Sequence, residues 1–379
     1  MYMYSSTPLW VQRTRRRACV HTVQGTRMAS ANAAAVTIIE DAAHVRLSSG
    51  ALMPMLAIGT GRAPASLGAA ASRRGRMQAR SSGASTAMHA LLNMSISIGY
   101  RHIDTSEVYA GFDHVGAALR ELQATVGGRE HLFITSKVDP TRRRRRTRHQ
   151  PVPPTACEAS GAGCFVTMAA AANSTVQRLG TYADLLLLHR PPRREGSDEA
   201  QCARLRESWR ALEDAQMRGL TRAIGLSNIC APLLRCLAAV PPRIAPAVLQ
   251  YMQHVGMGSN PNGYRSWARR QWGAVYMAYS VLGGVEGDFA RITSASRVQE
   301  VASAHRTGGA NIALSWVAQL GMPLVVLSGS PGHLRDDLRL FDVPPWGKLS
   351  ASEMETLSRL REPAGRPSHW GDCADDVLE

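Results

Sequence analysis

Four side chains able to donate, accept or steer a proton lie at or shortly after the ends of short strand-like segments. They are Asp104, Tyr109, Lys137 and His189. The segments 101–103, 132–136 and 185–188 end just before Asp104, Lys137 and His189, and Tyr109 lies on the loop that begins at Asp104. The carboxyl ends of the strands in a parallel barrel share one face, and active sites are built there. We therefore expect an acid, a phenol, an amine and an imidazole to meet in one pocket.

This set of groups suits proton donation to a carbonyl oxygen. A free tyrosine has a pKa of about 10, and lowering it by roughly 3 units needs about 4 kcal/mol of preference for the phenolate. An ammonium about 4 Å away supplies about 4 kcal/mol at an effective dielectric constant of about 20. Lys137 is therefore sufficient if it contacts Tyr109, with Asp104 holding Lys137 charged and aimed. His189 would orient the carbonyl and stabilise the developing oxyanion.

The ends of the later segments suit a nicotinamide ring and a phosphate. The carboxamide of the ring needs donors and an acceptor, which Ser227, Asn228 and Gln250 offer. Tyr279 offers an aromatic face for stacking. The segment 328–331, Ser-Gly-Ser-Pro, predicts the start of a helix whose backbone N–H groups favour an anion such as a cofactor phosphate.

Each of these residues also has an ordinary structural interpretation. A single histidine at a strand end is more often a satisfied structural residue, and Lys137 alone reads as a surface lysine. Ser227 and Asn228 suit the N-cap of a helix at Ala231, and Tyr279 suits a core position. Their joint occurrence at the ends of consecutive segments favours a site over these separate interpretations.

Strand-like and helix-like segments alternate along most of the chain and predict an α/β fold, a (β/α)8 TIM barrel. The predicted strands are 55–58, 101–104, 132–136, 184–188, 222–226, 247–251, 274–278 and 323–327. The predicted helices are 86–97, 114–123, 167–179, 201–218, 231–239, 264–272, 311–319 and 331–340. Residues 43–53, with a Ser-Gly turn, predict an N-terminal β-hairpin that covers the barrel bottom, and a C-terminal helix or loop follows the last unit.

The chain of 379 residues divides into an extension and one barrel domain. We expect residues 1–42 to be a disordered extension and residues 43–379 to form the barrel. Two segments interrupt the alternation and predict poorly ordered loop insertions, because long loops without secondary structure are uncommon inside a compact domain. The first, at about 63–85, is rich in Ala, Ser and Gly, and the second, at about 141–164, is rich in Arg and Pro.

The N-terminal extension has two interpretations. Its first acidic residue is Glu40, and the preceding Arg- and Ser-containing sequence is typical of an organelle transit peptide. The alternative is an upstream extension read as coding, with Met28 as the true start. We expect a cytoplasmic protein, with organelle import through the Arg-rich N-terminus as the alternative location.

The formal charge of +15 raises nucleic acid as a partner, but its distribution argues against that class. Much of the excess lies in the segments 13–17, 73–80 and 142–148. Blocks of like charge are usually solvated and mobile rather than part of a shaped binding surface. We therefore expect no nucleic-acid partner.

Cysteine number and hydropathy argue against a disulfide-rich protein, a thiolate zinc protein and a membrane-spanning protein. The seven cysteines are odd in number and contain no C-x-x-C pair, which argues against a disulfide framework or a thiolate zinc site and for a reducing compartment. No apolar stretch approaches the roughly 20 residues of a membrane span. An apolar fraction of 45% is enough for a sizeable core.

The order of these motifs resembles the aldo-keto reductase family over residues 45–361. The segments that carry the resemblance are Arg46–Gly50, Gly59–Thr60, Gly99–Thr105 with Tyr109, Thr135–Lys137, Asp184–His189 with Pro191, Gly219–Leu220, Ile224–Asn228, Gln250, Ala278–Ser280 with Leu282–Gly283, and Ala313–Trp316.

The resemblance implies a barrel that binds NADPH without a Rossmann domain and reduces a small-molecule aldehyde or ketone to an alcohol. The implied catalytic tetrad is Asp104, Tyr109, Lys137 and His189, with Tyr109 as proton donor. The implied cofactor-binding residues are Ser227, Asn228, Gln250, Tyr279, Ser280, Leu282, Ser328, Gly329, Ser330, His333 and Arg335. We expect a monomer that needs no metal and no membrane.

The phosphate-binding end departs from the family pattern. Many members carry a Lys-Ser pair where this chain has 327–330, Leu-Ser-Gly-Ser. The usual arginine aligns best with His333, which leaves Arg335 as a second candidate. Asp336 and Asp337 stand where Glu-Asn is common, and an extra carboxylate is unfavourable near a 2′-phosphate. The cofactor is therefore expected to be NADP, with NAD as the alternative.

Arg190 is a further departure, because a pocket tryptophan often follows the catalytic histidine in this family. It indicates either a contact with an anionic or polar carbonyl compound or an ordinary surface arginine.

Other functions compete with carbonyl reduction. The main alternative is a weakly catalytic, NADP-binding sensor or scaffold of the same fold, against which the complete tetrad argues. A metal-dependent hydrolase would want paired histidines at a strand end, and residues 55–60 offer none. A retaining glycosidase would want two carboxylates about 5 Å apart, whereas the fourth and seventh predicted strands end in His189 and Tyr279.

Overall fold

Eight parallel strands close into a barrel in the part of the chain that the computed structural model describes, which is residues 43–61, 78–141, 163–283, 288–361 and 377–378. The strands of this part are β1 His44–Arg46, β2 Leu52–Pro54, β3 Leu56–Gly59, β4 His102–Asp104, β5 Phe133–Val138, β6 Ala183–Leu188, β7 Thr221–Ser227, β8 Val248–Met252, β9 Val275–Tyr279 and β10 Leu324–Val326. Strands β3 to β9 follow one another around the barrel, and β10 pairs with both β9 and β3 to close it. The predicted (β/α)8 fold is confirmed.

Alternate side chains of the barrel strands serve two different cores. In β6 every residue is buried. Leu185 and Leu187 pack inside the barrel, and Leu186 and Leu188 pack against the surrounding helices. Successive strand residues point to opposite faces, so a strand buried on both faces reads as a continuous apolar segment. This is why β6, with four consecutive leucines, was recognisable from the sequence.

The N-terminal hairpin closes one end of the barrel, as predicted. Strands β1 and β2 are antiparallel, with Val45 opposite Met53. Gly50 occupies the turn with a φ of 85°, a conformation that residues with a Cβ rarely adopt. Val45, Leu47 and Met53 join the inner core with Leu185 and Leu187. The hairpin therefore seals the floor of the barrel, at the end opposite the C-terminal strand ends.

Helices separate the barrel strands. In the described part of the chain they are α1 Gln78–Ile98, α2 Phe112–Leu122, α3 Gly163–Leu179, α4 Asp198–Met217, α5 Ala231–Ala239, α6 Tyr264–Trp272, α7 Asp288–Thr293, α8 Ser296–Ala304, α9 Gly309–Gln319, α10 Pro331–Asp337 and α11 Ala351–Arg359. None of these is long and apolar enough to cross a membrane. The sequence patterns had not predicted α7 or α8. Helix α11 lies where a C-terminal helix or loop was expected, and it carries a capping box between Ser350 and Glu353.

A helix begins near the end of each predicted insertion. Helix α1 begins at Gln78, so residues 78–85 of the first predicted insertion are helical, whereas α3 begins at Gly163, at about the predicted end of the second. The helical segment 78–85 was not predicted because it carries almost no apolar side chains, so it lacks the periodicity that marks a helix. The N-terminal extension 1–42 and the remainder of both insertions, residues 63–77 and 142–162, lie outside the described residues.

The structure contains a disulfide between Cys202 on α4 and Cys236 on α5, with Cα atoms 6.0 Å apart. Cys164 and Cys230 are disulfide-bonded as well. The expectation of no disulfide framework is therefore wrong, and its support for a reducing compartment is lost. Cys202 and Cys236 are 34 residues apart, and the packing of α4 against α5 brings them together. Spacing along the chain could not reveal such a pair.

We expect the double substitution Cys202→Ser and Cys236→Ser to lower the free energy of unfolding by about 4 kcal/mol. This value follows from the loop-closure entropy that the cross-link removes from the unfolded chain over 34 residues. Urea unfolding of both proteins measures the difference, and the same comparison in reductant is the control. A difference that persists unchanged after reduction would contradict the account.

Candidate active site

A buried ion pair forms the floor of the site. The Lys137 ammonium lies 2.5 Å from Oδ1 of Asp104 and also donates to the Thr105 carbonyl at 3.1 Å. The second carboxylate oxygen of Asp104 accepts from the Gln250 amide at 2.8 Å. Asp104 and Lys137 are 4% and 2% exposed. Buried charges need partners, and here the pair itself, one amide and one backbone carbonyl provide them.

Tyr109 and His189 lie above this pair. The Lys137 Nζ atom is 5.4 Å from the centroid of the Tyr109 ring, close enough for its charge to act on the pKa of the phenol. The Tyr109 and His189 rings meet edge to face, with centroids 5.8 Å apart. Tyr109 is held by a turn after β4, in which its N–H donates to the Ser106 carbonyl and its own carbonyl accepts from Phe112 at the start of α2. The four predicted catalytic residues therefore meet at one end of the barrel.

The electrostatic balance at Tyr109 differs from the expectation. Burial raises the pKa of the phenol, and the opposing effect of Lys137 does not fully offset it, so the pKa lies above its usual value. The expected lowering of the Tyr109 pKa counted only the attraction of the Lys137 ammonium and not the cost of removing a phenolate from water. For Lys137, burial acts to lower the pKa, but the interactions with Asp104 and Tyr109 outweigh it and the pKa is raised. Lys137 is therefore a cation held beside a protonated phenol.

His189 is neutral in this environment. Burial, followed by the charges of Lys137 and Arg190, lowers its pKa well below the usual value. Its Nδ1 atom lies 3.0 Å from the Ser106 hydroxyl, which is also 3.3 Å from the Lys137 carbonyl. When Ser106 donates to the nearer Nδ1, the ring proton is on Nε2. Ser106 was not predicted as a site residue, although it lies in the same loop as Asp104 and Tyr109.

The ends of β7, β8 and β9 form a polar wall beside the tetrad. The Tyr279 hydroxyl donates to Oδ1 of Asn228 at 2.8 Å, and the Asn228 amide donates to the His189 carbonyl and to Ser227. Asn228 and Ser280 have positive φ angles of 57° and 51°. Such conformations in residues other than glycine are strained and cluster at functional sites.

A cavity of about 1360 Å³ connects these groups. The predicted site residues that line it are Asp104, Tyr109, Lys137, His189, Ser227, Asn228, Gln250, Tyr279, Ser280, Leu282, Ser328 and His333. Gly329, Ser330 and Arg335 are not among the lining residues. Ser330 instead caps α10, where its hydroxyl accepts from the His333 N–H at 3.4 Å. Helix α10 has seven residues and ends at Asp337, earlier than predicted.

The far end of the cavity carries an unusual carboxyl group. Asp337 lines the cavity and is 4% exposed. Burial, followed by the charge of Asp336, raises its pKa to about 7. Ser328 and His333 line the same end, with Ser328 Oγ 3.4 Å from the histidine Nδ1. No described lysine or arginine of this segment lines the cavity.

The layer below the tetrad contains a second buried histidine. The His102 Nδ1 atom is 2.9 Å from the Pro54 carbonyl, and its Nε2 is 2.8 Å from the Thr135 hydroxyl. The ring is fully buried. Burial lowers its pKa from 6.5 to about 4, with smaller effects of both signs from its neighbours. A neutral ring that donates from Nδ1 and accepts at Nε2 satisfies both contacts.

We expect His102 to make the protein less stable as the pH falls from 6.5 to about 4. In this window the unfolded state binds a proton that the folded state does not, so the free energy of unfolding drops by about 3 kcal/mol. Urea unfolding across this range should show that drop reduced in His102→Gln and retained in His131→Gln, an exposed control. Equal pH dependence in His102→Gln and the wild type would contradict it.

Comparisons with known proteins agree with this architecture. Residues 66–362 match the sequence model of the Aldo/keto reductase family. The NADPH-dependent codeinone reductase 1-2 of Papaver somniferum is 27% identical over 328 residues, covering 83% of this chain and 88% of that protein. Aldo-keto reductase family 1 member A1 of Rattus norvegicus is 27% identical over 343 residues, covering 85% and 90%.

Solved structures support the barrel fold. The aldose reductase of Schistosoma japonicum superposes with a TM-score of 0.59 at 23% identity, covering 83% of this chain and 90% of that one. MGS-M4, an aldo-keto reductase from a Medee basin deep-sea metagenome library, gives 0.61 at 20% identity, covering 89% and 97%. The fold and the family match together define an oxidoreductase of the (β/α)8 class. The chain belongs to the aldo/keto reductase family, and the resemblance noted in the sequence is confirmed.

Within the described residues, no group of three or more His, Cys, Asp and Glu side chains is arranged to hold a metal ion.

Proposed function

We propose that this protein is an NADPH-dependent oxidoreductase that reduces aldehydes or ketones to alcohols, with Tyr109 as the proton donor. The observation that carries the proposal is the contact of the buried Lys137–Asp104 pair with Tyr109, beside His189, in one large cavity. A phenol that loses its proton to a substrate becomes an anion, and an adjacent ammonium stabilises that anion more than the neutral phenol.

The polar wall beside the tetrad fits a nicotinamide. Asn228, Ser227 and Gln250 offer amide and hydroxyl groups, and Tyr279 offers an aromatic face. The strained backbone at Asn228 and Ser280 supports a binding role for these strand ends. When bound there, NADPH supplies the hydride that a carbonyl carbon accepts.

The protein side chains then have separate tasks. In the tautomer in which Ser106 donates to Nδ1, His189 donates a hydrogen bond from Nε2 to the carbonyl oxygen and orients it. Tyr109 transfers its phenolic proton to that oxygen as negative charge develops, and the ammonium of Lys137 stabilises the phenolate left behind. Asp104 keeps Lys137 in place. These interactions are stronger than in water because the four side chains are buried, where the effective dielectric constant is low.

The far end of the cavity, lined by Ser328, His333 and Asp337, affects whether NADPH or NADH binds better. A 2′-phosphate favours cationic partners, and the lining groups there are His333, Ser328 and the carboxyl of Asp337. This composition leaves NADH as the alternative cofactor. Quenching of intrinsic tryptophan fluorescence by NADPH and by NADH measures the preference directly.

The raised pKa of Tyr109 favours a second candidate, a weakly catalytic NADP-binding sensor or scaffold of the same fold, because a weaker acid gives up its proton less readily. Stopped-flow mixing of the NADPH-loaded protein with a broad set of small aldehydes separates the two. If the protein is an active reductase, NADPH absorbance is expected to fall and alcohol to form in the first turnover. Tight NADPH binding without oxidation across the set would favour the sensor.

A further inference from the structure

Arg190 is a charged residue of the cavity that the proposed chemistry does not use. It directly follows His189 and lines the cavity with the tetrad. Its side chain is 50% exposed, and its Nε lies 2.9 Å from Oδ2 of Asp139. Within the described residues its two η nitrogens have no hydrogen-bond partner. The guanidinium is therefore anchored on one side and open on the other.

The anchor of Arg190 is itself held firmly. Asp139 is 4% exposed. Its Oδ1 accepts from the N–H and the hydroxyl of Thr141 at 2.8 and 2.7 Å, which leaves Oδ2 for Arg190. The Asp139 N–H donates to Glu107 at 3.1 Å. Two hydrogen bonds to its carboxylate and one from its backbone N–H fix Asp139. An arginine bound to this fixed carboxylate is restricted, so less conformational entropy is lost when an anion binds.

The charge of Arg190 reaches the reacting groups. It acts to lower the pKa of Tyr109, His189 and Tyr279, as a cation close to all three does. Arg193 and Arg194 line the same cavity, as do Asp198 and Glu199. Arg194 lies 3.2 Å from Asp198, so one of these two acidic residues is paired with an outer arginine.

We propose that Arg190 is a specificity-determining residue that binds a carboxylate of the carbonyl substrate, so that the preferred substrates are oxo-carboxylates. This inference rests on the proposed function. A guanidinium presents parallel N–H donors that match the two oxygens of a carboxylate. The position beside His189 places this anion site next to the carbonyl that Tyr109 protonates.

The test compares matched pairs of aldehydes that differ only in charge. Succinate semialdehyde and para-formylbenzoate are each compared with the corresponding carboxamide, with kcat/KM measured at saturating cofactor. We expect the wild type to prefer each carboxylate by about tenfold, the lower end of the range for a charge-assisted hydrogen bond at a half-exposed site. The preference should fall as salt is added.

Substitutions assign the preference to Arg190. In Arg190→Ala the ratio of carboxylate to carboxamide should fall to about one, and Arg190→Lys should retain part of it. Asp139→Asn, which releases the guanidinium, should lower the same ratio. Arg269→Ala removes one positive charge from an exposed position on α6 outside the cavity, and it should leave the ratio unchanged.

The outcomes separate this inference from the proposed function. Equal kcat/KM for both members of each pair, or a preference that survives Arg190→Ala, overturns the inference and leaves carbonyl reduction intact. If neither member is reduced, the proposed function fails. Calorimetric titration with succinate and with succinamide then still tests Arg190: selective binding of succinate that is lost in Arg190→Ala supports the site, and equal binding overturns it.

Discussion

The variant Tyr109→Phe is expected to lose about a hundredfold to ten-thousandfold in kcat for carbonyl reduction, the usual contribution of a general acid. The substitution removes one oxygen and keeps the ring that meets His189 edge to face. The proton source is lost, whereas the strand ends that would hold the cofactor are untouched. Cofactor affinity should therefore remain close to that of the wild type.

Single-turnover oxidation of NADPH measures the loss, and fluorescence titration measures the affinity. The control is Tyr276→Phe in β9, because the Tyr276 hydroxyl is buried without a hydrogen-bond partner within the described residues. That variant should keep its activity. A rate close to the wild type in Tyr109→Phe would show that another group donates the proton.

Much of the site could be predicted from where the strand segments end. Asp104 and Gln250 lie on β4 and β8, which are four strands apart along the chain, yet their side chains are 2.8 Å apart across the barrel. A closed parallel barrel brings all its strand ends to one face, so recognising the alternation was enough to place them together. Predicting the barrel therefore also predicted contacts between distant strand ends, which local sequence patterns do not show.

The parts of the site that were not predicted depend on contacts between residues that are far apart in the sequence. Ser106 near His189 and Asp139 near Arg190 become meaningful only when two strand ends adjoin. Whether the pKa of Tyr109 is raised or lowered depends on how deeply the phenol is buried, and the sequence alone does not give that burial. Helices α7 and α8 lie between β9 and α9, where the alternation of strands and helices predicts one helix and α9 already supplies it.

The variant Lys137→Met is expected to shift the pH profile and destabilise the protein together. Without the ammonium, the pKa of Tyr109 rises further, so the basic limb of the reduction profile moves to higher pH. Asp104 would keep its Gln250 hydrogen bond but lose its charge partner. Removing one member of a buried ion pair costs about 3–5 kcal/mol. Activity profiles and urea unfolding measure the two effects.

The double variant Asp104→Asn and Lys137→Met separates electrostatics from folding. Replacing both charges leaves a neutral amide that can still accept from Gln250, so most of the stability lost in Lys137→Met should return. The pH profile should stay shifted upward, because Lys137 affects the Tyr109 pKa more than Asp104 does. If the double variant regained both stability and the wild-type profile, the ammonium would act only through folding. An unchanged profile in Lys137→Met alone would contradict the electrostatic role of Lys137 in proton transfer.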